Sequence, residues 1–198
     1  PSNSSAASDV YKRQTLKYAV DTDGDGDAGV VIEESADNNT IFLYAANKAD
    51  GRNAADGRDK AYIRKIDGRT GTVAWTKTFD ASAENAGGAY APVHIGKNEL
   101  NGTIIASLSA AALNDGTDGG LIIALDKSTG EEKWRVEQAD GIWSAPVVIY
   151  DENGKGYILQ CDRGGKLTLY SGIDGQQMCS IDPVSYTHLR AHETRHDL

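Results

Sequence analysis

Ala124-Leu125-Asp126-Lys127-Ser128-Thr129-Gly130-Glu131-Glu132-Lys133-Trp134 is the stretch that decides the fold. An apolar run from Leu121 to Leu125 leads into it, and its centre is Asp-x-x-Thr-Gly. An Asp side chain can accept hydrogen bonds from backbone N–H groups two or three residues on, and Gly supplies the positive φ that closes a bulged hairpin. After the turn Glu132, Trp134 and Val136 alternate with polar neighbours, the period of a half-buried strand. The unit is strand, tight turn, strand.

Two decayed copies flank it. One runs from Lys65 to Trp75 and contains Asp67, Thr70 and Gly71; the other runs from Leu169 to Cys179 and contains Gly175. Gly71 and Gly130 are 59 positions apart, and so are Trp75 and Trp134; Gly130 to Gly175 and Trp134 to Cys179 are both 45. Two markers that shift in step mean copies of one unit separated by loops of different length. The preceding residues repeat as well: Tyr90-Ala91-Pro92-Val93-His94-Ile95 is similar to Ser144-Ala145-Pro146-Val147-Val148-Ile149, and Ala28 to Ile32 is a third version without proline. Second strands are expected at 40–46, 102–108 and 156–161. Ala106 to Leu113, the one candidate for a helix, reads as strand followed by loop.

Four antiparallel strands repeated every 40–60 residues describe a β-propeller blade. A β-sandwich would show turn signals without a self-similar eleven-residue unit. The expected fold is therefore all-β: a partial propeller of about three four-stranded antiparallel blades, at 28–80, 88–138 and 143–182, within a 15–184 unit. Ala-x-Asp-x-x-Thr-Gly-x-x-x-Trp resembles the tryptophan-docking motif of the pyrroloquinoline-quinone-like (PQQ-like) propeller repeats. The resemblance implies that Trp75 and Trp134 each pack against a neighbouring blade, supported by the corners Asp67, Thr70, Gly71 and Asp126, Thr129, Gly130. Cys179 departs from the motif, so the third blade lacks that aromatic.

Residues 1–14 and 185–198 have no apolar period and resemble translated sequencing-adapter sequence at the ends of metagenomic reading frames. They are set aside as non-native or disordered, and with them His188, His192 and His196, whose spacing would otherwise suggest metal ligands. Because known propellers use about four to eight blades, the chain is expected to be a fragment of a larger protein.

Asp21-Thr22-Asp23-Gly24-Asp25-Gly26-Asp27 is the one segment that looks built for a ligand. Carboxylates at alternate positions with Gly at the sixth match the start of a calcium loop. The loop resembles the Asp-rich entries of integrin-type (FG-GAP-like) propeller repeats. The acidic residue expected at the twelfth position is Ile32, and the ninth is Gly29. Two readings stand: a structural Ca2+ held by Asp21, Asp23, Asp25 and Asp27, or an acidic surface turn. Glu33-Glu34, Glu131-Glu132 and Asp151-Glu152 read as solvated faces. His94 and Trp143 sit where a ring axis would run; either packs into the fold or contacts a ligand. Arg163 lies in a hairpin turn.

With 20 Lys and Arg against 29 Asp and Glu the chain carries a formal charge of −9, which argues against a nucleic-acid partner. No apolar run is long enough to span a bilayer. Cys161 and Cys179 fall two strands apart in one blade, so two free, buried thiols are expected. The resemblance implies a bacterial exported protein, periplasmic or extracellular. It points first to a non-catalytic scaffold or binding module that takes protein or carbohydrate through its loops. The alternatives are a fragment of a PQQ-dependent dehydrogenase and an accessory or sensor propeller of a larger surface protein. PQQ itself is not expected, because the adjacent-cysteine ring of those enzymes has no Cys-Cys counterpart here.

Overall fold

A computed structural model describes residues 17–35 and 39–182. The terminal stretches 1–14 and 185–198, with their three histidines, lie outside the described residues. Twelve strands account for the regular structure: β1 (Val31–Glu34), β2 (Ile41–Ala46), β3 (Arg58–Asp67), β4 (Val73–Ser82), β5 (His94–Ile95), β6 (Thr103–Ala112), β7 (Asp118–Asp126), β8 (Glu132–Gln138), β9 (Val147–Tyr150), β10 (Gly156–Cys161), β11 (Leu167–Ser171) and β12 (Gln177–Ile181). One 3₁₀ turn at Asn98–Leu100 is the only helical element among the described residues.

The strands pair in consecutive antiparallel groups of four, β1–β4, β5–β8 and β9–β12, as propeller blades do. The third group forms its own sheet, whereas the first two join into one eight-stranded sheet. The join is a single pair, Ala81 opposite Ala111, where the ten-residue strands β4 and β6 meet. The ladder of β6 shifts between Leu108 and Ala111, and Ala110 takes φ +46° at that bulge. The bulge turns the end of β6 towards β4. Sequence pattern alone separates the blades and does not reveal this join.

Hairpin corners form as their composition requires. Asp67 Oδ1 accepts from the N–H groups of Arg69 and Thr70 at 2.8 and 3.0 Å. Asp126 Oδ1 accepts from those of Ser128 and Thr129 at 2.8 and 3.1 Å. Gly71 and Gly130 then take φ +76° and +74°, and each donates its N–H back to the Asp carbonyl at 2.8 Å. Thr70 and Thr129 accept through Oγ1 from the N–H two residues on.

The core lies between blades. Ile63, Phe79, Ile104, Ile123 and Leu125 fill the contact of the first two blades, and Leu100, Ile105, Ile122, Ile142 and Ile158 fill that of the second and third. Leu121 to Leu125 on β7 is buried on both faces because the middle blade is covered on both flanks. That is why this strand reads as a continuous apolar run. Gln160 is also buried here, accepting from Ser107 Oγ at 2.6 Å and donating to Ser144 Oγ at 2.7 Å.

The thiols correct an expectation. Cys161 and Cys179 are free, but both are exposed. Period-two alternation in β10 turns Gln160 inward and its neighbour Cys161 outward, and among the described residues no sheet covers the β12 side of Cys179.

Candidate functional site

Loops at one end of the blades converge on a cavity of about 420 Å³ lined by Asn85, Tyr90, Ser109, Asp118, Asp140, Trp143 and Arg163 among others. At this end the three blades share one backbone contact. A residue near or just past the end of a second strand hydrogen-bonds to the connector that leads into that blade. Lys48 and Asp25 exchange N–H···O bonds at 2.9 and 3.1 Å; Ser109 and Gly88 do so at 2.8 Å each way; Arg163 donates its N–H to Gly141 O at 2.8 Å.

Two of these stations carry cations, and each cation lies on an aromatic ring. Lys48 Nζ is 4.7 Å from the Tyr90 centroid, and the Arg163 guanidinium is 5.1 Å from that of Trp143. The two rings face each other at 6.1 Å with a 43° tilt. The result is a ladder, Lys48–Tyr90–Trp143–Arg163, that crosses all three blades. Trp143 is 58% exposed, a large apolar surface left open at the loop end. Asp118 pairs with Arg58 beside it.

His94, expected near the axis, lies on β5 opposite Ile105 and not in this ladder. Its Nε2 is buried without a hydrogen-bond partner. Burial, then the charge of Lys97, holds its pKa below the usual imidazole value.

The Asp-rich loop sits at the first station, and three of its four carboxylates are paired with cations. Asp27 Oδ2 and Asp25 Oδ2 lie 2.5 and 3.2 Å from Lys48 Nζ, and the lysine side chain is only 9% exposed. These hydrogen bonds, Asp27 foremost, raise the Lys48 pKa. Asp23 Oδ2 accepts from Arg64 Nη2 at 2.8 Å, and Arg64 also donates to Thr22 O. Asp21 Oδ1 accepts from Asp23 N–H at 2.9 Å. Among the described residues no three His, Cys, Asp or Glu side chains gather as a metal cluster. Three of the four carboxylates thus pair with two protein cations, and Asp21 accepts from backbone. Reading the sequence missed Lys48 and Arg64, since long-range pairing alone brings them to the loop.

Glu33 also departs from its solvated reading. It accepts from Tyr44 OH at 2.8 Å and pairs with Lys127 Nζ at 2.5 Å, linking first and second blades. Burial would raise its pKa, but the hydrogen bonds from Lys127 and Tyr44 prevail and lower it.

At the hairpin corners the indoles reach across blades. Trp75 Nε1 donates to Lys127 O at 3.2 Å, and a Cβ on Gly130 would lie 2.7 Å from Trp75 Cε3. Trp134 Nε1 donates to Gly172 O at 3.1 Å, and a Cβ on Gly175 would lie 2.7 Å from Trp134 Cε3. Trp75 is 9% exposed and meets Tyr44 at 6.3 Å; Trp134 is half-buried.

A family model described as the glucose/ethanol/alcohol dehydrogenase β-propeller domain (PQQ) matches residues 60–158, half of the 198-residue chain. The chain belongs to this PQQ β-propeller family. Among solved structures it is similar to the quinohemoprotein alcohol dehydrogenase from Comamonas testosteroni, with 13% identity and a TM-score of 0.55 over 76% of this chain and 28% of that one. Weaker likenesses are to a europium-containing methanol dehydrogenase (16% identity, TM-score 0.49, 78% and 25% covered) and BamB from Moraxella catarrhalis (15%, 0.43, 78% and 37%). The chain thus spans well under half the length of each. No curated protein matches it significantly. The family match and the likeness to the Comamonas enzyme establish the fold, and no helix among the described residues is long and apolar enough to cross a membrane.

Proposed function

We propose that this PQQ-like propeller segment is a non-catalytic scaffold or binding module of a larger exported bacterial protein, taking a protein or carbohydrate partner through its loop face. The supporting observation is the Lys48–Tyr90–Trp143–Arg163 ladder beside the cavity. It joins three blades into one preorganised surface with an exposed indole at its centre. Preorganised aromatics lose little entropy on binding, so such a face suits recognition. Docking of Trp75 and Trp134 onto the next blades, with Asp67, Thr70, Gly71, Asp126, Thr129 and Gly130 shaping the corners, is the proposed source of its rigidity. The periplasmic or extracellular location rests on the family resemblance.

An array of immobilised oligosaccharides and unfolded peptides, probed with the chain, tests this reading. Binding that Trp143→Ala and Arg163→Ala both abolish, with the far-UV spectrum unchanged, supports it. Binding indifferent to both substitutions, or no binding at all, refutes it.

A dehydrogenase segment is the second reading, favoured by the family's own description. The residues present do not fit the adjacent-cysteine ring: Cys161 and Cys179 lie on β10 and β12 with β11 between them. Dye-linked alcohol oxidation after addition of PQQ and calcium would establish this reading instead.

As arranged, Lys48 and Arg64 hold three of the four carboxylates of Asp21, Asp23, Asp25 and Asp27. A structural calcium there is a proposal that requires those cations to release the loop. Isothermal titration decides it: heat from the parent and none from Asp23→Ala supports the ion, and a silent parent excludes it.

A further inference from the structure

Gly71 is the only one of the three corner glycines whose cover does not come from a described four-stranded blade. A Cβ on Gly71 would lie 2.6 Å from Tyr18 Cδ2 and 2.8 Å from its Cγ. Tyr18 OH donates to Gly68 O at 2.7 Å. The contact reproduces both indole contacts in two respects. An aromatic ring lies over the positive-φ glycine, and its donor meets the carbonyl three residues earlier: Gly68 for Gly71, Lys127 for Gly130, Gly172 for Gly175.

Spacing agrees. Tyr18 precedes Asp25 by seven residues, as Trp134 precedes Gly141; Trp75 precedes Gly88 by thirteen, through a connector six residues longer. Each of these station residues precedes its inner strand by six: Asp25 and Val31, Gly88 and His94, Gly141 and Val147. Lys17-Tyr18-Ala19-Val20 matches Lys133-Trp134-Arg135-Val136, and its residues alternate exposed and half-buried, as an outer strand does.

We propose that Lys17–Val20 is the outermost strand of a further blade on the β1 side, and that Tyr18 is that blade's docking aromatic. The flank of the first blade is accordingly a blade-docking surface whose occupant is another four-stranded repeat of this kind. Val30 and Ile32, 57% and 60% exposed, belong to the flank it covers. The Asp21–Asp27 segment is then the connector between two blades, the counterpart of the connectors that hold Gly88 and Gly141. This assignment is independent of any ligand on the loop face.

Tyr18→Trp and Tyr18→Ala in the full 198-residue chain test it. Tyr18→Trp should add an indole whose difference emission is blue-shifted and shielded from iodide, as expected of Trp75. Tyr18→Ala should lower amide-exchange protection at 67–72 by about tenfold, roughly the factor one hydrogen bond is worth, and leave 126–131 unchanged. An indole at position 18 that emits and quenches like an exposed one overturns the assignment. So does protection at 67–72 that Tyr18→Ala leaves intact, or a loss spread equally over both corners.

Discussion

Replacing Trp75 by Ala, alone and together with Gly130→Ala, isolates the contact that links first and second blades. A fully buried Trp removes about 150–250 Å² from water, worth about 4–6 kcal/mol at roughly 25 cal/mol per Å². The Ala methyl retains part of this and the cavity relaxes in part, so Trp75→Ala should cost about 3–5 kcal/mol. Gly130→Ala acts through two separable effects. At φ +74° an L side chain is strained by about 1–2 kcal/mol. Its Cβ, 2.7 Å from Trp75 Cε3, adds overpacking of about 1–3 kcal/mol. Without the indole only the backbone strain remains. The double variant should therefore be more stable than the sum of the single losses predicts, by about 1–3 kcal/mol. Gly102→Ala is the control: φ is +87° but nothing lies within 4 Å of the new Cβ, so its loss should add to that of Trp75→Ala. Urea unfolding followed by far-UV circular dichroism, at unchanged m, reads all of these. Additivity of Trp75→Ala with Gly130→Ala to within about 0.5 kcal/mol would refute the reasoning.

Hydrogen bonds from the Ser128 hydroxyl, then from the Ser128 and Thr129 N–H groups, hold the Asp126 carboxyl at about 2, below its ordinary 3.8. A depressed carboxyl stabilises the fold above its unfolded pKa and loses that contribution as pH falls through the folded one. The melting temperature should therefore drop between about pH 4 and pH 2, and Asp126→Asn should flatten that acid limb; superimposable acid limbs would contradict this. Cys161 and Cys179 should both react with a thiol reagent without denaturant, and fewer than two equivalents would disprove their exposure. Lys48→Ala leaves Asp25 and Asp27, each about half exposed, without a counter-charge, and should lower stability by about 1–2 kcal/mol at low salt with the difference narrowing at high salt. A difference that salt leaves unchanged would show that the lysine acts through packing.

Strands and corners were legible because their determinants are local. Asp126, Thr129 and Gly130 meet within five residues, and the alternation read in β8 needs no knowledge of neighbours. Whatever depended on neighbouring blades was not legible. Cys161 and Gln160 are adjacent in an apolar strand, and only the second blade's Ser107 shows which of them points inward. Lys48 follows β2 and Arg64 lies on β3, both more than twenty residues after the Asp-rich loop, and the backbone pairing of Asp25 with Lys48 brings them together. Glu33 looked like a solvated charge until Lys127 arrived from the next blade. Tyr18 carried a readable signal in Lys-aromatic-x-Val. The motif is defined on Trp, however, and the Asp run beside it draws the eye to ligand chemistry.

The exposed apolar residues of the two outer blades fit one geometric rule. Register pairs Val31 with Tyr44 and Val147 with Leu159, so Val31 and Val147 are equivalent inner-strand positions. Yet their exposures have opposite parity: β1 exposes Ile32 and Glu34, whereas β9 exposes Val147 and Ile149. Opposite faces of equivalent strands are therefore uncovered, the face away from the middle blade in each case. A two-sided apolar pattern is wasted on a free-standing sheet but is required of a blade between two others. The middle blade meets that requirement within this chain through β7, buried on both sides. The same rule explains why the Lys48–Tyr90–Trp143–Arg163 ladder gathers at the loop end. Blade faces are committed to one another, so the connectors and second-strand ends are left to present Tyr90, Trp143 and Arg163 in register from neighbouring blades.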